Sequence, residues 1–252
     1  MRIVWYTIWS FLLFASCQDE EIKPKNSLVL EGYLFANSAV DNIKVSRLGG
    51  FGEFIENEPI NDALVLIIFN NQPYLLEKTA GSDGIYSYAG NDLPILEGER
   101  YDIAVLHEGD TLFGSTTVPP KPAGLAQSSQ AIKSGLFAQD STTITTIWNQ
   151  NHDFWSPVII SMEQNPQEIP GNEAFRFSYS TPSSNPFFEI NRINLTYYGL
   201  NALIVYSVNE EYVILFDAEN PENFFESPTN LVNGFGVFTA FNSDSLFFEV
   251  LP

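Results

Sequence analysis

The chain has 252 residues, with 31 acidic against 11 basic side chains and a formal charge of −20 at neutral pH. Nucleic acid is excluded as a partner, because phosphate binding requires clustered Lys and Arg, and electrostatic docking on an anionic lipid surface fails for the same reason. With 44% hydrophobic residues, among them 21 Phe and 11 Tyr, there is material for one large or two small packed domains.

The chain opens with Arg2 and an apolar run over residues 3–14. That run is well short of the ~20 residues a membrane-spanning helix needs. It ends in the small residues Ala15 and Ser16, then Cys17, the only cysteine, then Gln18, Asp19, Glu20 and Glu21. A positive start, a short apolar core and small residues near its end make an export signal. A plain cleaved signal would leave a free thiol at the new N-terminus, a reactive group in an exported protein. The order therefore reads as a lipoprotein signal: residues 1–16 form the signal peptide, and the Cys17 thiol carries diacylglycerol. Residues 17–26 form a lipidated acidic tether. Removing residues 1–16 leaves 10 basic and 31 acidic residues, a charge of −21, and no thiol for a disulfide.

Strands are predicted at 28–35, at 42–48, where apolar and polar residues alternate, and at 63–69, where the continuous run ALVLIIF implies that both faces are covered. Residues 49–59 read as an exposed loop. Asn70-Asn71 and Asp83-Gly84 are turn signals, and strands follow at 74–78, 100–106 and 111–118. About seven short strands with no helical period predict a β-sandwich over 27–118. Pro119, Pro120 and Pro122 cannot continue a ladder, so 119–123 reads as a stiff linker.

Beyond it, 124–252 forms a second β-rich domain. Residues 123–136 read as loop or short helix. Strand-like runs fall at 142–148, 157–162, 174–180, 191–198, 202–208, 211–216, 237–241 and 246–251. The fold class is thus all-β, an N-terminal Ig-like or prealbumin-like sandwich followed by a second β-rich unit.

Asp62-Ala63-x-Val65, Gly84-x-Tyr86 and Leu96-x-x-Gly98-x-x-Tyr101-x-Ile103-x-Val105 resemble the carboxypeptidase-regulatory-like, prealbumin-type sandwiches. Together with the cysteine signal, the opening LVLEGYL, Val118-Pro119-Pro120 and the late segment Thr229-Asn230-Leu231-Val232-Asn233-Gly234-Phe235-Gly236-Val237-Phe238, the chain resembles the Bacteroidota lipoproteins called domain of unknown function 4249. That resemblance implies no established activity. It implies an outer-membrane lipoprotein whose gene lies beside one for a TonB-dependent receptor, hence a receptor accessory. It also implies that Gln18, Asp19, Glu20 and Glu21 act as a signal for display on the cell surface.

No catalytic constellation is predicted. Nucleophilic catalysis by Ser or Cys needs a base held beside it. The two histidines, His107 in the turn His107-Glu108-Gly109-Asp110 and His152 in a polar stretch, both read as loop residues. No metal site is expected: two isolated histidines give no zinc signature, and residues 217–223 lack the spacing of a calcium loop. No cofactor is expected beyond the covalent lipid on Cys17.

Trp148 reads as core. Phe224 and Phe225, adjacent aromatics in an otherwise polar stretch, either plug back into the core or are candidate partner contacts. Residues 193–252 hold no Lys or Arg and eight acids, so these aromatics, with Phe235 and Phe238, are expected to dock on a basic loop of the receptor. The alternative function is a stand-alone glycan-binding or glycan-cleaving surface lipoprotein, for which Trp148 and Trp155 would line a groove.

Overall fold

The computed structural model describes residues 28–48, 57–134, 143–171, 181–217 and 229–252. Nearly every element is a strand. The first eight are β1 (Leu28–Phe35), β2 (Ile43–Arg47), β3 (Glu58–Pro59), β4 (Leu64–Phe69), β5 (Gln72–Lys78), β6 (Ile85–Ser87), β7 (Arg100–His107) and β8 (Asp110–Thr117). Then come β9 (Ala126–Gln127), β10 (Ala131–Lys133), β11 (Thr143–Ile147), β12 (Trp155–Ser161), β13 (Phe187–Asn191), a 3-10 turn (Arg192–Asn194), β14 (Gly199–Val208), helix α1 (Glu210–Asp217) and β15 (Phe235–Leu251).

The first sandwich runs in the order β15-β1-β2-β6-β5-β4-β7-β8. A bridge between Phe113 of β8 and Val232 returns the approach to β15 onto the last strand, so the sheet curls round one core. Alternate residues supply that core, among them Leu28, Leu30, Leu34, Val65, Ile67, Ile103 and Val105. Tight turns with positive φ at Asn70 and Asn71, and at Glu108 and Gly109, match the twist of the hairpins they close.

Two tyrosines explain why the sandwich motifs have their spacing. The Tyr101 hydroxyl donates to the Pro94 carbonyl at 2.6 Å and accepts from the Leu96 amide at 2.9 Å. The Tyr86 hydroxyl donates to the Ile60 carbonyl at 3.0 Å and accepts from the Ala63 amide at 2.9 Å. Each buried ring thus ends on a loop whose backbone groups would otherwise lack partners, and burial raises the pKa of both phenols.

The second core lies between the β12-β14-β15-β10 face and a three-stranded sheet, β13-β11-β9. It is built from Ile132, Ile144, Trp148, Trp155, Ile190, Leu203, Val205, Phe248 and Val250.

The last strand changes the domain picture. Phe235–Phe241 of β15 pairs parallel with Val29–Phe35 of β1, and Phe241–Val250 pairs antiparallel with β14. Its even-numbered residues face inward throughout: Phe238 and Ala240 enter the first core, Phe248 and Val250 the second. The expected separation into 27–118 and 124–252 therefore does not hold for the cores, because the first is completed by Leu231, Phe238 and Ala240. The 119–123 stretch is no free spacer either. Pro119 and Pro122 are buried, and the Asn242 amide, midway along β15, donates to the Pro119 carbonyl and to Glu97 Oε2, each at 3.1 Å.

Gly236 makes the parallel pairing possible. Its φ is +101°, and a Cβ there would collide with the Leu30 carbonyl oxygen on β1.

Other expectations need correction. The two runs at 237–241 and 246–251 are one strand of 17 residues, since Asn242–Ser245 stay paired with β14 despite their polarity. Residues 211–216 are helical: the Asn209 carbonyl accepts from the Tyr212 and Val213 amides, and two acids in the first turn suit the positive end of the helix dipole. Residues 123–136 hold two short strands, and 191–198 a 3-10 turn. Only one face of β4 is core; Leu64 on the other is exposed. The run predicted at 174–180 lies outside the described residues, as do residues 49–56.

Candidate functional site

A cleft of about 320 Å³ lies where the two sandwiches meet. Arg100, Thr116 and Thr117 line it from the first; His152, Asp153, Phe154, Asn209, Glu210 and Glu211 line it from the second. Its polar centre is one carboxylate oxygen. Glu211 Oε1 accepts from the Thr116 hydroxyl at 2.7 Å, from the Asn209 amide at 3.2 Å and from the Thr239 hydroxyl at 3.4 Å. Asn209 Nδ2 also reaches the Thr117 carbonyl at 2.8 Å. These bonds tie the end of β8, the exit of β14 and the middle of β15 together. Through that oxygen Glu211 fastens the junction.

Behind it, α1 rests on an aromatic cluster centred on Phe241. Tyr212 meets it edge-on at 4.9 Å, Phe35 stacks at 5.2 Å, and Tyr33 and Tyr206 each stand 6.0 Å away. Burial raises the pKa of Tyr33 and Tyr206 there, so both rings remain neutral.

His107, expected to be an exposed turn residue, has a side chain only 9% exposed. Its Nε2 lies 3.0 Å from Asp62 Oδ1 and its Nδ1 3.3 Å from Arg47 Nη2. A guanidinium only donates, so Nδ1 accepts and the proton sits on Nε2, pointing at Asp62. Arg47 also bonds Glu108 Oε2. The cluster pins the β7–β8 turn against the loop before β4. Among the described residues, the imidazole's hydrogen bonds go to a carboxylate and a guanidinium, not to a hydroxyl or thiol.

His152 Nε2 lies 2.9 Å from the Val208 carbonyl and holds the approach to β12 against the end of β14. Both histidines therefore have structural partners. The hairpin geometry that buries His107 depends on Arg47, sixty residues away, and no local signal reveals it.

Trp148 is core, as its strand position predicts, and so is Trp155. The two rings meet edge to face at 6.0 Å inside the second core. Phe238, expected among the docking aromatics, is fully buried in the first core. The parity of β15 decides this, since Phe238 shares a face with Ala240. Phe235 is partly exposed at the start of the strand. Cys17, Gln18, Asp19, Glu20, Glu21, Phe224 and Phe225 lie outside the described residues. No group of three or more His, Cys, Asp or Glu suited to a metal ion occurs among the described residues.

No curated protein matches the sequence. A crystal structure of chicken CNTN1 FN1–FN3 domains is similar over 71% of this chain and 58% of that one, at 13% identity and a TM-score of 0.27. The chain thus spans less than two thirds of that structure, and a superposition so loose carries no argument. The sequence profile of a domain of unknown function, DUF4249, matches residues 17–246, and the chain belongs to that family.

Proposed function

We propose that the chain is a surface-exposed outer-membrane lipoprotein, anchored through Cys17, that serves a TonB-dependent receptor as a non-enzymatic accessory in substrate binding or uptake. The observation that carries this reading is the order of residues 12–21: an apolar run, Ala15-Ser16, Cys17, then Asp19, Glu20 and Glu21. Lipidation suffices physically for attachment. Each buried methylene contributes ~0.8 kcal/mol, and more than one acyl chain makes the anchoring stable.

Burial counts against the glycan-directed alternative: Trp148 and Trp155, which a sugar-stacking groove would need at its surface, are buried against each other.

Labelled-palmitate incorporation together with protease access to intact cells tests the placement. Cys17→Ala should abolish labelling. Replacing Asp19, Glu20 and Glu21 together by Ala should keep the label and remove surface access. Undiminished labelling of Cys17→Ala would overturn the anchor, and undiminished access after the triple change would overturn the export signal.

A further inference from the structure

The outer face of the second sandwich is apolar where nothing among the described residues covers it. On β12, β14 and β15 the register sets Ile160 beside Ala202 and Ala202 beside Phe247; Val158 lies beside Ile204, and the Met162 amide bonds the Leu200 carbonyl. All of these lie on the face opposite Leu203, Val205 and Phe248, and Ala202 among them is buried at 2% exposure. Four stand well into solvent: Ile160 40%, Leu200 43%, Met162 48% and Phe247 51% exposed.

At the end of this patch opens a groove of about 320 Å³, lined by Ile160, Glu163, Asn194, Thr196, Tyr197 and Asn201 among others. On the strands of this face the charges are of one sign, with Arg192 in the 3-10 turn that supplies Asn194 to the groove. The three strands contain no Lys or Arg. Glu163 borders both patch and groove, its Oε1 accepting from the Leu200 amide at 3.2 Å, and exposed Glu249 lies in register with Leu200. The nearest lysine in register is Lys133 on β10, beside Leu251 at the far border.

We infer that this face docks a protein surface carrying an apolar strip flanked by Lys or Arg. Apolar side chains in cross-strand register supply the buried contact. The carboxylates at the border select a partner of opposite charge and steer its approach. A second copy of this chain is disfavoured, because it would bring the same carboxylates face to face. The first sandwich has a comparable outward apolar row, Leu75, Leu66 and Phe113, but there Arg100 and Asp102 already pair with each other. Charge complementarity is therefore legible only on the β12-β14-β15 face. The inference goes beyond the accessory reading and holds whichever protein the partner is.

Photo-crosslinking in intact cells tests it, with benzoylphenylalanine placed in the full chain at Phe247, at Ile160 or at the equally exposed Leu75. The expected result is a crosslink from Phe247 and Ile160, and none from Leu75, to a peptide of another protein that has apolar residues flanked by Lys or Arg. Phe247→Glu should lower the Ile160 crosslink at least tenfold while the protein's melting temperature stays unchanged. Crosslinks to a second copy, to lipid alone, equally from Leu75, or none at all would each overturn the inference. The identity of the crosslinked protein bears separately on the accessory reading: a docked partner that is not a TonB-dependent receptor leaves this face standing and removes that role.

Discussion

Asn230 closes both hydrogen bonds of the Phe238 peptide with its side chain: Oδ1 accepts from the Phe238 amide at 3.0 Å, and Nδ2 donates to the Phe238 carbonyl at 2.7 Å. The amide side chain stands in for a strand on the side of β15 away from β1. It does so at the residue whose ring is fully buried in the first core. Asn230→Ala should therefore cost about 1–3 kcal/mol, the penalty for leaving buried backbone groups unmade. Asn230→Asp should cost at least as much, since it replaces the donor with an acceptor facing a carbonyl. Urea denaturation monitored by fluorescence reads both; a change below a few tenths of a kcal/mol would mean that water replaces the amide.

The same strand decides whether the first sandwich folds alone. Residues 28–118 lack Leu231, Phe238 and Ala240 from their core, and β1 loses its parallel partner. Removing three core side chains and seven register pairs exceeds the margin of a small domain. The fragment should bind a hydrophobic dye and melt without cooperativity. A sharp two-state transition in the isolated fragment would show that β15 is dispensable.

Tyr88 offers a titration. Its hydroxyl donates to Asp92 Oδ1 at 2.6 Å, and that bond, with smaller contributions from desolvation and from the carboxylate's charge, pushes the phenol up from 10 to about 12. Below pH 10 the phenol keeps its proton folded or unfolded, and the bond contributes fully. Between pH 10 and 12 the unfolded chain loses the proton first, so the contribution falls, and above about 12 it is gone. Ultraviolet difference titration against the wild type should show that Tyr88→Phe removes one of the high-pH phenols, beside those raised by burial, and that Asp92→Asn shifts the same one downward. An unshifted titration in Asp92→Asn would assign the effect elsewhere.

Much of the first sandwich is legible in the sequence because its signals are local. The alternation in 42–48, the Asn70-Asn71 turn and the Tyr101 spacing each act within a few residues. What stays hidden is long-range. The sequence of β15 reads as two runs because Asn242–Ser245 are polar, yet Asn242 is spent on the Pro119 carbonyl. Residues 211–216 look like a strand because YVILF is β-branched and aromatic, whereas Asn209 and the acidic first turn set the helix and Phe241 receives Tyr212. His107 and Phe238 were misplaced for the same reason, since their surroundings come from Arg47 and β1. The order of residues 12–21, on which the proposed lipidation rests, is local and readable. The apolar outer face is not, because it forms only when β12, β14 and β15 come into register.

The central proposal, that the chain is a lipid-anchored accessory of a TonB-dependent receptor, is tested most directly by affinity pull-down of the full-length protein from detergent-solubilised outer membrane. A TonB-dependent receptor should be recovered in near-stoichiometric amount, with recovery falling as salt screens the acidic chain's steering of the encounter. Recovery of the chain without any TonB-dependent receptor, at low salt and at expression levels where both are present in the membrane, would contradict it.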